Sequence, residues 1–372
     1  MKKGNIIDCF FILLRAGLWE TEVQLTSYGE INYKTILQIA EEQAVVGLVA
    51  AGLEHVVDVK PPTKDVLQFA GQALLIKQQN EAMNSFVNVL VKELRKANIY
   101  SLLVKGQGIA QCYERPLWRT SGDIDLYLNE GEFQKARKYF RPLVESEEID
   151  DDYTKSINMH YGKWVIEIHA TQHCGLSSWI DNLMDDIHHD LFYKGHIRSC
   201  VIGDTEVFLP SVDNDILIVF THYLKHFYKG GLGLRQICDW CRLLYTYKDS
   251  LNYGLLEQRI KRAGLVSEWK AFYNLASRYL GMPDFGSGLT VHDSRFDKKA
   301  DRIMEFILKA GNMGHNRDMS HFSKYPYLIR KCVSMGRRIG DLINHARIFP
   351  LDSLRFFPRI MFNGVRSAIR GE

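Results

Sequence analysis

The amino-acid sequence predicts an α+β protein in which a small β-sheet lies between two helical regions. Short apolar segments with period-two alternation fall between residues 96 and 210, separated by glycine-containing turns. The residues before 95 and after 211 instead keep their apolar side chains at helical spacing. At 372 residues, the chain can form two domains or one large one, with a substantial core.

The composition is typical of a globular protein, with 46% hydrophobic and 24% charged residues. Its seven cysteines have no regular spacing, which indicates free thiols in a reducing cytoplasm. The apolar residues 6–14 are interrupted by Asp8 and lack a following cleavage site, so we do not interpret them as a signal peptide. No uninterrupted apolar stretch approaches the ~18 residues of a transmembrane helix. We therefore predict a cytoplasmic protein without a transmembrane segment.

We divide the chain into four predicted regions. Residues 1–95 form helices that pack beside the sheet, and Thr63, after Pro61 and Pro62, is expected to cap a long helix. Residues 96–210 form the core. Residues 211–323 form a second helical region, and residues 324–372 form a basic amphipathic helical tail.

Within the core, we predict strands and helices in alternation. The expected strands are residues 100–105, 124–128, 156–161, 163–170, 196–202 and 206–209, and the expected helices are 106–113 and 131–143. The third and fourth strands would form a hairpin around Gly162. A helix over 131–143 would have Asn129 or Glu130 near its cap.

Two aspartates mark the second predicted strand. Because side chains alternate along a strand, Asp123 and Asp125 share one face, opposite Ile124 and Leu126. Neighbouring carboxylates repel one another, so a divalent metal would stabilise this arrangement. The alternative is a surface strand that ends in two solvated aspartates.

A third acid lies on the later strand. Glu167 shares a face with Val165 and His169, whereas Ile166 and Ile168 point the other way. A carboxylate on the inward side of a strand needs a partner, and a metal site beside Asp123 and Asp125 would provide one.

Several motifs together resemble a known family. They are Lys105-Gly106, Arg119, the acid pair of residues 122–126, Glu167, His222, Lys225-His226, Gly233-Leu234-Arg235 and Asp239, with further matches at residues 13–18 and 40–43 and weaker ones at 311–314. The chain is similar over its first two thirds to the uncharacterised nucleotidyltransferase family of bacteria. That family is a branch of the DNA-polymerase-beta-like nucleotidyltransferase superfamily.

The resemblance implies a polymerase-beta-like core, a small mixed sheet with helices. It also implies transfer of a nucleoside monophosphate from an NTP, with ATP among the candidates, to an acceptor hydroxyl. Asp123, Asp125 and Glu167 would be the catalytic residues and would hold two Mg²⁺ ions, for which Mn²⁺ can substitute. A small molecule or a saccharide is the favoured acceptor, and a protein or RNA is the alternative. The helical region of residues 211–323 is expected to lie on the acceptor side of the site.

The residues expected to contact the nucleotide are Lys105, Gly106, Gln107, Arg119 and Ser121. The superfamily signature places glycine or serine after the first glycine, whereas Gln107 follows Gly106 here. This departure supports an alternative function, a non-catalytic module of the same fold that binds a nucleotide or a partner.

A further set of residues is expected to line a substrate pocket. The set comprises His169, His222, His226, Arg235 and Asp239. His222 and His226 lie one helical turn apart, a spacing that also suits a metal, although a pocket or a packing role is favoured. Cys238 and Cys241 form a C-x-x-C pattern on a predicted helix, which we interpret as a buried face and not as a zinc or redox site.

The C-terminal tail is basic. Residues 324–372 contain ten lysines and arginines but three acids, with phenylalanines among them. A weak contact with an anionic membrane or with nucleic acid is one interpretation. The favoured interpretation is that the apolar stripe packs on the body and leaves arginines in water.

Overall fold

The computed structural model describes residues 3–151, 155–286, 288–314 and 327–370. The described α-helices are α1 (Lys3–Trp19), α2 (Tyr33–Glu42), α3 (Val46–Glu54), α4 (Thr63–Lys96), α5 (Gly106–Ala110), α6 (Glu130–Phe140), α7 (Ser178–Phe192), α8 (Val212–Lys229), α9 (Leu234–Thr246), α10 (Tyr253–Ala263), α11 (Val266–Leu280), α12 (Asp297–Ala310), α13 (Tyr327–Ile348) and α14 (Pro350–Arg370). The described strands are β1 (Leu102–Val104), β2 (Ile124–Tyr127), β3 (Ser146–Asp151), β4 (Ser156–Tyr161), β5 (Trp164–His169), β6 (Ile197–Ile202) and β7 (Thr205–Pro210).

The main sheet has five strands in the order β1-β2-β5-β4-β3. It is mixed, because β2 and β5 run parallel while the other neighbours are antiparallel. β6 and β7 form a separate two-stranded hairpin. The predicted α+β class and the small mixed sheet are confirmed.

Most core elements form close to their predicted bounds, with three corrections. β3 was missed because its sequence, SEEIDD, has no apolar alternation, and an edge strand pairs through its backbone. The helix predicted over 106–113 ends at Ala110. Thr63 is the first residue of α4 and not its cap, since Pro62 takes the N-cap position without a side-chain hydrogen bond.

Two hydrophobic clusters hold the described part of the chain together. The larger cluster draws residues from each of the four predicted regions, for example Phe10, Ile109, Trp240 and Phe356. The smaller cluster lies between the sheet, the second half of α4 and α6. α4 therefore packs against both clusters, and the four-region division stays a prediction.

The N-terminal helices cross at close range where glycines meet. A Cβ on Gly17 of α1 would lie 1.8 Å from the carbonyl oxygen of Leu48, and one on Gly52 of α3 would lie 1.9 Å from that of Leu13. Only glycine leaves room for these backbones to approach so closely. The crossing fixes α3 beside α1.

The C-terminal helices α13 and α14 pack against the body in the described residues. Phe349 and Phe356 are fully buried, and the Phe356 ring lies 5.0 Å from that of Tyr228. Arg359 forms an ion pair with Asp181 at 2.9 Å. The two phenylalanines thus pack on the body as the favoured interpretation expects, whereas Arg359, expected in water, pairs with a carboxylate of α7. Among the helices that the structure describes, none combines the length and the apolar character that a membrane crossing requires.

Candidate active site

The turn between β1 and α5 carries a buried lysine. Lys105 has φ +57° and Gly106 has φ +36°, so the chain bends sharply through the left-handed region before α5 begins. Lys105 is buried, and its Nζ lies 2.5 Å from Oδ1 of Asp125 on β2. The turn thus supplies a cation to the strand that carries the acid.

The parallel pairing of β2 and β5 brings three side chains together. Asp125 is the register partner of Glu167, and Tyr127 is the partner of His169. His169 Nε2 lies 3.0 Å from Asp125 Oδ1 and 3.5 Å from Glu167 Oε2. Ligand atoms of Asp125, Glu167 and His169 all lie within 4.8 Å of one another, a group that could hold a metal ion. The expected shared face of Glu167 and His169 is thereby confirmed.

Asp123 occupies a different position from Asp125. It precedes β2 and is exposed, and it does not belong to the group of three ligands. Repulsion by Asp125 and burial of its surroundings raise the pKa of Asp123, while Lys105 opposes the shift. Asp123 therefore lies within the electrostatic field of the cluster, at its solvent side.

The carboxyl groups of Asp125, which is buried, and Glu167, which is half-buried, differ in their pKa. Burial raises the pKa of Asp125, but the Lys105 ammonium and the His169 hydrogen bond outweigh it and hold the pKa below its usual range. Burial raises the pKa of Glu167, and His169 and Lys105 only partly offset this effect. Asp125 is thus the firmly ionised member, and Glu167 holds a proton more readily.

Two histidines of α8 extend the cluster. His222 Nδ1 lies 3.4 Å from Lys105 Nζ, and the Nε2 atoms of His222 and His226 are 3.0 Å apart. Burial and the nearby Lys225 lower the pKa of His226 to about 3, and burial with Lys105 lowers the pKa of His222 well below its usual value. Both rings are therefore neutral, and one donates a hydrogen bond to the other.

The family follows from these motifs and from one comparison. A family model described as uncharacterised nucleotidyltransferase matches residues 29–281. The chain belongs to the uncharacterised nucleotidyltransferase family. The predicted resemblance is thus confirmed, and the matched segment contains every acid, lysine and histidine of the cluster. No curated protein and no solved structure matches the chain.

In this member of the family, Arg119 and Asp239 form a buried ion pair. Nε and Nη2 of Arg119 donate to the two carboxylate oxygens of Asp239, each at 2.7 Å. The Tyr113 hydroxyl donates to the same carboxylate at 2.8 Å. Arg119 was expected to contact the nucleotide and Asp239 to line a pocket. In the structure, the guanidinium of Arg119 is bonded to both carboxylate oxygens of Asp239, and the two expected roles stay predictions.

Gln107 and Ser121 also bond within the protein. Ser121 Oγ donates to Gln107 Oε1 at 2.7 Å, and Gln107 Nε2 donates to Asn84 Oδ1 at 2.5 Å. Both residues, expected at the nucleotide, are buried in a brace between α5, the segment before β2 and α4. Asn80 of α4 strengthens this brace by donating to the carbonyl oxygen of Arg119 at 2.8 Å. Neither asparagine is recognisable from the sequence, because single polar residues on a long helix carry no signal.

Arg235 reaches the same segment from α9. Its Nη1 donates to the carbonyl oxygen of Thr120 at 3.0 Å. The structure therefore gathers Lys105, His169, His222 and His226 around the acids. Arg119, Ser121, Arg235 and Asp239 lie around the segment that leads into β2.

Proposed function

We propose that this chain is a Mg²⁺-dependent nucleotidyltransferase that moves a nucleoside monophosphate from an NTP to an acceptor hydroxyl. The observation that supports this most is the group of Asp125, Glu167 and His169 on paired parallel strands, with ligand atoms within 4.8 Å. Its presence inside the segment matched by a nucleotidyltransferase family supports phosphoryl chemistry over a structural metal site.

The donor set fits a divalent metal. Carboxylate oxygens are the ligands that Mg²⁺ prefers, and Mn²⁺ also accepts an imidazole. Asp125 already has a cation, Lys105, at 2.5 Å, so this position stabilises positive charge. We propose that Asp125 and Glu167 hold the metal, that Asp123 completes a two-ion site from its exposed position, and that His169 orients Asp125. When bound, the ions neutralise charge that develops on the phosphate oxygens and make the acceptor hydroxyl more acidic.

The residues of the chain have distinct proposed roles in the transfer. The acceptor oxygen forms a bond to the α-phosphorus while the bond from that phosphorus to the pyrophosphate oxygen breaks. Glu167 takes the proton of the hydroxyl, because its raised pKa makes it a better base than Asp125. Lys105 offsets the negative charge of the departing pyrophosphate. Gly106 allows the phosphates to approach the backbone.

Other assignments follow from the composition and the site. The favoured acceptor is a small molecule or a saccharide, and a protein or RNA is the alternative. His222 and His226 are proposed to lie beside the substrate. His222 contacts Lys105 directly, and His226 contacts His222. The six described cysteines carry free thiols, which supports a cytoplasmic location.

The test uses the purified protein with each of four α-labelled NTPs, Mg²⁺ or Mn²⁺, and a cell extract. Label should appear in a product with the wild type and should be lost with Asp123→Ala/Asp125→Ala. Glu148→Ala, an exposed acid of β3, is the matched control and should keep the activity. A folded protein that binds an NTP but never transfers label would instead support the non-catalytic module, which the departure at Gln107 favours.

A further inference from the structure

We infer that Arg235 binds a phosphate group of the substrate, an assignment that rests on the proposed function. Arg235 is the second residue of α9, and it contacts the segment that leads into the acid-bearing strand β2. Neither the turn at Gly106 nor the metal cluster includes it. The inference follows from the charges around the site and from the way α9 is anchored.

Two cations near the site are already neutralised by carboxylates of the chain. Lys105 pairs with Asp125 at 2.5 Å, and Arg119 pairs with both oxygens of Asp239. Arg235 forms no ion pair within the part of the chain that the structure describes. Its side-chain hydrogen bond goes to a neutral carbonyl, that of Thr120, and its Nε is buried without a partner.

The surroundings of Arg235 disfavour its charged form. Burial and the neighbouring Arg119 lower the pKa of Arg235, while Asp239, Asp123 and Tyr113 act in the opposite direction. Arg119 already occupies both carboxylate oxygens of Asp239. The Arg235 side chain is half-buried with its Nε fully covered, and a positive charge partly withdrawn from water without an ion-pair partner is unfavourable, so an anion that reaches Arg235 is attracted to it.

Gln43 holds the backbone at the start of α9 in place. The backbone N–H of Leu234 donates to Gln43 Oε1 at 3.1 Å, and that of Arg235 donates to the Gln43 carbonyl at 3.3 Å. Gln43 is fully buried, and its Nε2 donates to the carbonyl oxygen of Ile307. The first turn of α9 is thus tied to the residue that follows α2 and, through it, to α12, which fixes the position of the Arg235 backbone beside the segment before β2. Gln43 acts here as a positioning residue.

The ligand that suits the Arg235 guanidinium is a phosphate group. A guanidinium offers a planar fork of donors that matches the oxygens of a phosphate. Asp123, which the proposed reaction places at the metal, is close enough to influence the charge of Arg235. The phosphate belongs either to the triphosphate of the NTP or to a phosphorylated acceptor, and both present the same oxyanion.

The experiment measures binding of inorganic tripolyphosphate to the full-length protein in EDTA by calorimetry. We expect Arg235→Gln to weaken binding about tenfold or more, since a hydrogen bond to a charged group is lost. Arg235→Lys should give an intermediate affinity, because the charge stays and the fork is lost. Arg262→Gln, on α10 with its partner Asp186, is the control and should bind like the wild type.

Thermal melting separates a binding role from a structural one. Wild-type affinity in Arg235→Gln, with an unchanged melting temperature, would overturn the inference. If Arg235→Gln does not fold, the comparison uses Arg235→Lys, and an affinity equal to the wild type in that variant would likewise overturn it.

Two further arms identify the source of the phosphate. Weaker binding of a non-hydrolysable NTP with Mg²⁺ in Arg235→Gln would assign the residue to the triphosphate. Unchanged NTP affinity, with inorganic phosphate binding lost in the presence of saturating NTP analogue, would assign it to a phosphorylated acceptor. No arm depends on turnover, so an inactive protein that still binds tripolyphosphate through Arg235 would contradict the proposed transfer and not this inference.

Discussion

Lys105 Nζ lies 2.5 Å from Asp125 Oδ1, and the two side chains are only 10% and 4% exposed. The acid at the centre of the proposed metal site is therefore neutralised by a cation of the chain itself. Because both groups are removed from water, their attraction is weakly screened and each depends on the other. A metal and Lys105 act on the same carboxylate.

The first prediction is that Lys105→Met destabilises the protein mainly when metal is absent. Removing one partner of a buried pair leaves an uncompensated charge, which costs about 3–5 kcal/mol. We expect this loss in the free energy of unfolding in EDTA, and partial recovery with Mg²⁺, measured by urea denaturation. Lys92→Met, which breaks an exposed pair with Asp204, should cost less than about 1 kcal/mol. Equal stability of Lys105→Met and the wild type in EDTA would contradict the role of the pair.

The second prediction concerns the buried pair of Arg119 and Asp239. Asp239→Asn removes the charge that Arg119 and the Tyr113 hydroxyl both contact, so we expect a loss of about 3–5 kcal/mol in the free energy of unfolding. Asp204→Asn, at an exposed position, is the matched control and should cost less than about 1 kcal/mol. A stable Asp239→Asn protein with weakened substrate binding would instead support the pocket role predicted from the sequence.

The third prediction concerns Glu268, a carboxyl that is fully buried on α11. Burial and the neighbouring Asp352 raise its pKa from 4.5 to about 8. The folded state therefore holds a proton that the unfolded state has lost between these pH values. Stability contributed by Glu268 is full below pH 4.5 and falls as the pH rises toward about 8.

Glu268→Gln should remove this pH dependence. Relative to the wild type, its free energy of unfolding should rise by up to about 1.4 kcal/mol per pH unit as the pH increases over that window. The measurement is urea denaturation at a series of pH values. Glu305→Gln, at an exposed position of α12, serves as the control and should follow the wild type. Parallel curves for Glu268→Gln and the wild type would disprove the raised pKa.

The fourth prediction tests the packing of the C-terminal helix α14. Phe356 is fully buried, whereas Leu354, two residues earlier, is 72% exposed. Phe356→Ala should lower the free energy of unfolding by about 3–5 kcal/mol, because a large buried side chain is replaced by a cavity. Leu354→Ala should change it by less than about 0.5 kcal/mol, as expected at an exposed site. Similar small effects for both would indicate that the tail does not pack on the body in solution.

The candidate site was predictable where it depends on local alternation. Period two alone placed Glu167 and His169 on one face, and the structure confirms that they lie together. Asp125 was also predictable as part of a strand, because its neighbours Ile124 and Leu126 are apolar. The ion pair of Arg119 with Asp239 was not predictable, since 120 residues separate the two in the chain. No local pattern reports which distant carboxylate an arginine will meet.

The sequence by itself determined the α+β class, the family, most strands and helices, and the acids that face the proposed metal, because periodicity and motif order are local properties of the chain. Only the tertiary structure decided how the cations are used. Lys105 and Arg119 pair with carboxylates, and Gln107 bonds to Asn84 and Ser121, whereas Arg235 has no ion-pair partner among the residues that the structure describes. These outcomes depend on burial and on contacts between distant segments, where the cost of an unpaired charge is high.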